Sequence, residues 1–286
     1  MSRLRVVSYN IHKGRSGLMS RVRLNELRLG LYGLGADLVF LQEVQGRNER
    51  AGVLDAQHES LAAALHLDMV YGCNAVRRYT DHGNALLSRF PILSHENLNV
   101  SDHRLEQRGL LHAQVRIGDH MVHCFVVHLG LFGASRGRQA EALIRRIDEV
   151  VRDGEPVLIA GDFNDWNDDL SATLVERLGL HEVFGSAQLT KGGGPPKLRE
   201  TVRLLRQSFV RLRDGAGPSQ PLPALSAGSL PVTARPPRTF PSAMPMFRLD
   251  RIYQRGFAVR RARVLRGMPW TRISDHAPLM AELELP

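Results

Sequence analysis

Apolar and polar positions alternate along the chain in a way that predicts strands and helices in turn. The stretch "LRVVSYNI", residues 4–11, is apolar at both odd and even positions, which is typical of a strand covered on both faces. "DLVFLQEV" (37–44) and "PVLIAGD" (156–162) have the same character. The clearest helix is "SRGRQAEALIRRIDEVVRDG" (135–154), with Ser135 before it and a glycine as its stop. This order predicts an α/β protein of packed layers.

Two further elements carry more specific expectations. "SRVRLNELRLGLYGLG" (20–35) predicts a helix with Ser20 as its N-cap and Gly35 as its stop. The last run, "APLMAELEL" (277–285), alternates apolar residues with Glu282 and Glu284. That alternation predicts a strand with one face toward solvent.

The segment 187–238 interrupts this order. It holds eight of the fifteen prolines, and nine Lys and Arg residues against two acidic ones, so it accounts for most of the net charge of +9. Such a composition cannot build a core, and we predict a basic insertion in a single domain that spans residues 1–286. A solvated loop is the simplest interpretation. The alternative is that "KLRETVRLLRQSFVRLR" (197–213) forms a basic amphipathic helix that contacts an anionic membrane surface.

Composition narrows the class of protein without selecting a substrate. At 43% hydrophobic and 23% charged residues, the chain is typical of a soluble globular protein. It contains no leader-like apolar segment and no transmembrane run, so we expect a cytoplasmic protein, and we expect a monomer. The two cysteines indicate no disulfide framework. A basic surface attracts DNA, RNA and anionic lipid alike, so charge alone leaves the partner open.

Candidate chemistry lies at the strand ends. Each predicted strand is followed or preceded by a polar side chain, namely Asn10, Glu43, His128, Asp162 with Asn164, Asp250, and Asp275 with His276. Any one of them could simply cap a turn. Because strand ends in packed α/β layers open onto one edge, we expect these side chains to converge there. Carboxylate and amide oxygens suit Mg²⁺ or Mn²⁺, and no cysteine pair or histidine triad indicates zinc.

These motifs resemble a known group. In order, they are "VVSYNIHKG", "DLVFLQEV", "HGNALLSRFPI", "VVHLGL", "GDFNDW", "LDRIYQRG" and "SDHAPL". The series resembles the endonuclease/exonuclease/phosphatase superfamily, the DNase I-like metal-dependent phosphodiesterases, and it spans residues 4–285 apart from the insertion. The resemblance implies a four-layer α/β/β/α sandwich, in which two mixed β-sheets lie face to face with helices outside.

The resemblance also implies a role for each matching residue. Glu43 would be the principal Mg²⁺ ligand, helped by Asn10 and Asp275. Asp162 would orient or deprotonate the attacking water, and Asn164 would bind a phosphate oxygen. Asp250 would pair with His276, which would donate a hydrogen bond to the phosphate. His128 would be a second donor to the phosphate.

Four more residues are candidates for substrate binding. Asn84, in "GNALLSR", would support the second donor, and Arg108, in "QRGLL", would reach the cleft. His12 and Lys13 follow the first strand directly and could contact substrate phosphate, although a solvated loop explains them equally well.

The predicted function is Mg²⁺-dependent hydrolysis of phosphodiester bonds, with nucleic acid as the default substrate. The alternatives are a phospholipid or small-molecule phosphodiesterase or phosphatase, of the sphingomyelinase-like or inositol-phosphatase-like kind, and a binding protein that has lost catalysis. Two departures leave the substrate open. Arg251 stands where many relatives have an aromatic residue, and Ala277 stands where DNA-repair members commonly have cysteine.

Overall fold

The computed structural model describes residues 2–16, 19–49, 56–103, 106–190 and 236–286. Within these ranges, two six-stranded mixed sheets pack face to face, and helices cover both outer faces. The predicted four-layer α/β/β/α sandwich is therefore confirmed.

The strands of the described ranges are β1 (Ser2–Asn10), β2 (Arg15–Ser16), β3 (Met19–Val22), β4 (Leu38–Val44), β5 (Asp68–Val76), β6 (Asp81–Ser88), β7 (Ile92–Asn99), β8 (Gly109–Ile117), β9 (His120–His128), β10 (Val157–Asp162), β11 (His181–Glu182), β12 (Asp250–Arg255), β13 (Ala258–Val264) and β14 (Leu279–Leu285). The α-helices are α1 (Leu24–Leu34), α2 (Gln57–Leu65), α3 (Gly133–Val150), α4 (Ser171–Leu178), α5 (Val183–Thr190) and α6 (Trp270–Ile273). A 3₁₀ turn covers His12–Gly14.

The central core fills the space between the sheets. The first sheet has the strand order β13-β14-β1-β4-β6-β5, and the second has β11-β12-β10-β9-β8-β7. In β1, Leu4 and Val6 face this core, whereas Val7 and Tyr9 face the helices. Both faces of β1 are thus covered, as its uninterrupted apolar pattern predicts.

The outer layers explain the helical patterns. Apolar side chains of α1, α2 and α6 pack on the first sheet, where Trp270 meets Tyr9 edge to face with ring centroids 5.7 Å apart. The stripe of α3 packs with α4 on the second sheet. None of the described helices combines the length and the apolarity needed to span a bilayer.

Three local predictions differ from the structure. The outer face of β14 is largely covered, because Met280 packs in one cluster with Trp270 and Ile273 and the Glu284 carboxylate is paired with Arg260. Glu282 stays partly exposed. The N-cap of α1 is Arg23, and Ser20 lies in β3. Helix α3 begins at Gly133, so Ser135 lies inside it and donates its hydroxyl to Asp102 (2.6 Å).

Helix α5 includes residues 187–190, the first four of the predicted insertion, and the insertion itself stays a prediction. The expected basic helix at 197–213 falls outside the described residues.

Strand ends from both sheets meet at one edge of the sandwich. In the first sheet β1 runs parallel to β4, and in the second β9 runs parallel to β10, so each pair ends on the same side. The antiparallel strand β12 begins on that side, and the turn before β14 joins it. The fold therefore brings distant parts of the sequence to a single edge.

Candidate active site

The second sheet contributes three polar side chains in direct register. Asp162, the last residue of β10, lies opposite His128 on β9 and opposite Asp250 on β12. All three are buried. The strands approach closely here, since a Cβ atom on Gly161 would lie 1.9 Å from the Val127 carbonyl oxygen. Glycine at that position lets the acidic strand end close against its neighbour.

The carboxylate of Asp162 lies between two imidazoles. Its Oδ2 is 3.7 Å from Nε2 of His276 and 3.6 Å from Nε2 of His128. On the far side of His276, Nδ1 is hydrogen bonded to Oδ2 of Asp250 at 2.9 Å. With Asp250 accepting from Nδ1, the ring orientation is fixed and Nε2 points at Asp162. The predicted Asp250–His276 pairing is present in this geometry.

Burial and charge separate the proton affinities of these groups. Burial raises the pKa of Asp162 to about 7, although the charge of His276 opposes the shift. Burial alone would lower the pKa of His276, but Asp250 and Asp162 raise it to about 10. Burial, with the charge of Arg108, holds the pKa of His128 well below its ordinary value. Near neutral pH the site thus combines a carboxylate able to accept a proton, a cationic imidazole and a neutral one.

The turn after Asp162 is built by its own side chains. The backbone N–H of Asn164 donates to Oδ1 of Asp162 (3.0 Å), and its side-chain amide donates to the Leu129 carbonyl (2.9 Å). Asn164 has a left-handed φ of 48°, a conformation that costs about 1–3 kcal/mol in a non-glycine residue. In this structure Asn164 holds Asp162 in place, and its role as a phosphate ligand stays a prediction.

The first sheet contributes a second set of polar groups, and Asn10 connects the two sets. Its side-chain amide donates across the gap between the sheets to Oδ2 of Asp162 (3.1 Å). Its own carbonyl accepts from the hydroxyl of Ser274 (2.7 Å), and the same hydroxyl accepts from the backbone N–H of His276 (3.2 Å). Ser274 thereby fixes the turn that carries Asp275 to the end of β1.

Glu43 reaches the edge through a β-bulge. Leu41 pairs with Ala85 but Val44 pairs with Gly83, so β4 has one residue more than β6 over this stretch. Glu43 lies in the bulge with a φ of 53°. Bulges of this kind redirect a side chain near functional sites. The partly exposed carboxylate of Glu43 is thereby turned toward the edge of the sandwich.

Cations accompany the partly exposed acids. Nζ of Lys13 lies 2.5 Å from Oε2 of Glu43, and Nδ1 of His12 lies 3.3 Å from Oδ1 of Asp275. Burial disfavours the charged form of Glu43, but the charges of His128 and Lys13 outweigh it and hold its pKa well below the ordinary value. Because His128 is neutral near pH 7, Lys13 is the effective cation there. His12 and Lys13 therefore meet the predicted metal ligands, and contact with substrate stays a prediction.

The donor set fits a hard divalent cation. Glu43 and Asp275 offer carboxylate oxygens and Asn10 an amide oxygen, which is the ligand chemistry of Mg²⁺ and Mn²⁺. The Asn10 oxygen also accepts from the backbone N–H of His12 (3.1 Å). A second group lies deeper. Among the described residues, ligand-type atoms of Asp162, Asp250 and His276 all lie within 4.8 Å of one another. Asp250 and His276 already use one atom each on their mutual hydrogen bond. The assignment of the metal to Glu43, Asn10 and Asp275 stays a prediction.

Two further predicted residues have structural partners. The side-chain amide of Asn84 donates to the carbonyls of Gly109 (3.0 Å) and Val126 (3.3 Å), so it links β6 to β8 and β9 across the sandwich. Arg108 donates to the Leu129 carbonyl and to Oε1 of Glu106, and its charge acts on His128. Both lie beside the site, while direct substrate contact by either one stays a prediction.

Sequence reasoning missed His82, and it noted Arg251 only as a departure from the family pattern without predicting its role. His82 is half-buried, and burial and the charge of Lys13 lower its pKa to about 4, which places it beside the same acids and bases. It lies two residues before Asn84 in β6, so the strand alternation provided the clue. Arg251 is fully buried, with Nη2 3.0 Å from Asp168 and 3.6 Å from Asp165. It ties the loop after Asp162 to β12, a long-range pairing that leaves no local pattern.

A sequence profile of the Endonuclease/Exonuclease/phosphatase family matches residues 7–276. The chain belongs to this family. YbhP, an uncharacterized protein of Escherichia coli K12, is 35% identical over 289 residues, which cover 98% of this chain and 96% of YbhP. The family resemblance of the sequence motifs is thereby confirmed.

Solved structures of the family share the fold. The endonuclease/exonuclease/phosphatase from Bacteroides vulgatus aligns with a TM-score of 0.69 and 16% identity over 100% of both chains. The Beutenbergia cavernae protein gives 0.69 and 19% identity, covering 100% of this chain and 72% of that one. TDP2 from D. rerio, complexed with single strand DNA product, gives 0.62 and 18% identity over 99% of this chain and 100% of its own. Members of the family are in general phosphoester hydrolases and typically depend on a metal.

Proposed function

We propose that the protein hydrolyses phosphodiester bonds with the help of a divalent cation, Mg²⁺ or Mn²⁺. The observation that carries the proposal is the meeting of Asp162, His276 and His128 at one buried point, with Nε2 of each histidine within 3.7 Å of the same carboxylate oxygen. In-line displacement at phosphorus needs positioning and charge neutralisation, which this arrangement supplies.

Each group has a task in this proposal. Asp162, with a pKa raised to about 7, accepts a proton from the attacking water. His276, cationic because Asp250 supports it, donates from Nε2 to a phosphate oxygen as negative charge builds. His128 is neutral, and its Nε2 lies 3.6 Å from the same Asp162 oxygen that His276 approaches, so its ring can donate a second hydrogen bond to the phosphate. Asn10 and Asn164 keep the Asp162 carboxylate oriented.

The metal would be held by Glu43, Asp275 and Asn10 at the partly exposed end of the cluster. When bound, it would neutralise phosphate charge and lower the pKa of a coordinated water. The low pKa of Glu43 means that this ligand is ionised and ready for a cation at any physiological pH.

Nucleic acid is the first candidate substrate, because the family includes nucleases and D. rerio TDP2 was captured with a single-strand DNA product. A phospholipid headgroup is the second candidate. It is favoured by exposed apolar side chains that border the site, at Leu131, Phe132, Trp166 and Met244. An inactive binding protein is disfavoured because each predicted catalytic position is filled.

The test is a substrate panel in Mg²⁺ that contains a generic aryl diester, an aryl monoester, plasmid DNA, single-stranded RNA and phospholipid vesicles. We expect hydrolysis of the diester to exceed that of the monoester, and to disappear with EDTA and in Asp162→Asn. Equal turnover with EDTA, or preference for the monoester, would contradict the proposal.

A further inference from the structure

The exposed apolar side chains of the described residues are concentrated around the candidate site. Twelve large hydrophobic residues are exposed in these parts of the chain, and six of them lie in three loops that adjoin catalytic strand ends. We define these six as the apolar rim, which consists of Leu131, Phe132, Trp166, Met244, Met246 and Phe247. Leu131 and Phe132 follow His128, and Trp166 follows Asp162. Met244, Met246 and Phe247 precede Asp250. Scattered exposed apolar residues are ordinary, but a cluster at a functional edge indicates a binding surface.

Direct contacts join the rim to the site. The rings of Trp166 and Phe247 meet edge to face with centroids 4.8 Å apart, and Phe240 beneath them lies 4.9 Å from the ring of His276. The buried pairing of Arg251 with Asp165 and Asp168 fixes the loop that carries Trp166. Trp166 and Phe247 are therefore held in a defined position at the mouth of the site.

Two segments beside the rim carry arginines and no acidic residue. Residues 236–249 and 265–273 lie side by side, since the guanidinium of Arg266 donates to the carbonyl of Arg238 (3.3 Å). Together they carry four arginines and no Asp or Glu, and Met268 adds another exposed apolar side chain. The arginines are Arg238, Arg248, Arg266 and Arg272. The loop of Trp166 carries two exposed acids, Asp168 and Asp169, of which Asp168 is paired with Arg251. The four arginines outnumber these two exposed acids, and apolar side chains beside an excess of cations are complementary to an anionic bilayer surface, which offers phosphate charge above acyl chains.

A single-stranded nucleic acid also combines phosphate charge with apolar base faces, but the side chains of the apolar rim suit it less well than a bilayer. Base stacking needs open aromatic faces, whereas Trp166 and Phe247 are only 39% and 37% exposed and pack on each other. Phe132, at 63%, is the one rim aromatic that is mostly exposed, and a single stacking platform does not provide the successive aromatic contacts of a strand-binding groove. Met244 protrudes most, at 68%. Methionine has no π-face, and its flexible thioether suits insertion between acyl chains.

We propose that the apolar rim docks on an anionic lipid bilayer and so presents the candidate site to phosphodiester headgroups. The inference rests on the proposed function for the identity of the reaction, and within it favours the phospholipid as substrate. Docking on a bilayer does not require catalysis, so the docking proposal and the proposed function can be refuted separately.

The experiment compares two double variants of the full chain. Met244→Ser/Met246→Ser removes exposed apolar groups from the rim. Leu29→Ser/Tyr32→Ser is the matched control, because these residues are 74% and 62% exposed on α1, away from the site. Both variants retain residues 197–213, so a difference between them cannot come from that basic run. Co-sedimentation uses vesicles of phosphatidylcholine alone and vesicles of equal parts phosphatidylcholine and phosphatidylglycerol.

We expect the wild type and the control to bind anionic vesicles, and raised salt to weaken that binding. The rim variant should partition at least about tenfold less, while its turnover of a soluble aryl diester stays unchanged. Trp166 supplies a second readout. Trp270 is buried, so a blue shift of tryptophan emission with anionic vesicles reports on Trp166 and should vanish in Trp166→Phe.

Binding of a single-stranded oligonucleotide is measured in parallel. The proposal is overturned if the wild type does not bind anionic vesicles, or if the rim variant binds them like the control. It is also overturned if the rim variant loses only oligonucleotide binding. Asp162→Asn separates the two hypotheses. If the wild type and this variant both bind vesicles, but the wild type hydrolyses no diester, the proposed function is refuted and the docking surface is retained.

Discussion

Asp162 from the second sheet and Glu43 from the first lie at the same edge of the sandwich, but in different surroundings. Asp162 is 1% exposed and lies between two imidazoles, whereas the Glu43 side chain is 19% exposed and pairs with Lys13. The pKa of Asp162 is raised to about 7, and that of Glu43 is held well below its ordinary value.

The difference teaches which acid suits which task. A carboxylate that titrates near neutral pH can take and release a proton during each turnover. A carboxylate that is always ionised and already faces a cation can exchange that cation for a metal. We therefore expect the buried set around Asp162 to control proton transfer, and the partly exposed set around Glu43 to control metal affinity.

The largest effect is expected from Asp162→Asn. The amide keeps the shape of the side chain but cannot accept the proton of water, so turnover of a diester should fall by about 10²–10⁴. Steady-state kinetics in saturating Mg²⁺ would measure it. Asp169→Asn, an exposed residue on the same loop, is the matched control and should retain activity. Near-normal turnover in folded, metal-loaded Asp162→Asn would refute the role of this residue.

Glu43→Gln should act on metal affinity instead. The loss of even an outer partner of a metal ligand costs about 10–100-fold in affinity, so removal of a ligand charge should weaken Mg²⁺ binding by more than about 100-fold. Isothermal titration calorimetry measures this without turnover. Glu49→Gln, which changes an exposed glutamate in the loop after β4, is the control. If Glu43→Gln bound Mg²⁺ normally and Asp162→Asn did not, the assignment of the two sets would be reversed.

The support given by Asp250 should be visible in the pH profile. Turnover should fall as pH drops below about 7, where Asp162 takes up a proton, and as pH rises above about 10, where His276 loses one. Because the charge of Asp250 raises the pKa of His276, Asp250→Asn should move the alkaline limb to lower pH by a unit or more, about 1.4 kcal/mol per unit. Titration of the His276 ring by NMR would check the direction, and an unchanged limb would contradict it.

The smallest effect is expected from Lys13→Met. This change removes the cation that competes for Glu43, so Mg²⁺ affinity should rise by up to about fivefold, the scale of a partly exposed ion pair. Calorimetry measures the Mg²⁺ affinity, and KM for the diester shows whether substrate binding changes instead. Weaker substrate binding with unchanged Mg²⁺ affinity would instead assign Lys13 to the substrate, as one interpretation of the sequence suggests.

Much of this site could be predicted from sequence because strand ends are local features. The apolar run of β10 stops at Asp162, and the parallel neighbours of that strand must stop beside it. The bulge that turns Glu43 outward could not be predicted, since it depends on how β4 pairs with β6, two strands separated by α2 and β5. The role of Arg251 could not be predicted either. A buried arginine becomes explicable only once the loop after Asp162 is known to cover it.

The burial of β14 has a similar reason. The alternation of Glu282 and Glu284 predicts a face toward solvent. In the structure, β13 pairs with one edge of β14 and places Arg260 against Glu284. Alternation along one strand cannot reveal the charge that a neighbouring strand supplies.

The hydrogen bond from Asn10 to Asp162 joins side chains that are 152 residues apart and belong to opposite sheets. A nascent chain that ends after β6 holds Asn10 and Glu43 without Asp162, and a chain that ends after β13 holds Asp162 without His276. On the proposed function, we expect a partly synthesised chain to lack a complete site and to leave the phosphodiesters around it intact.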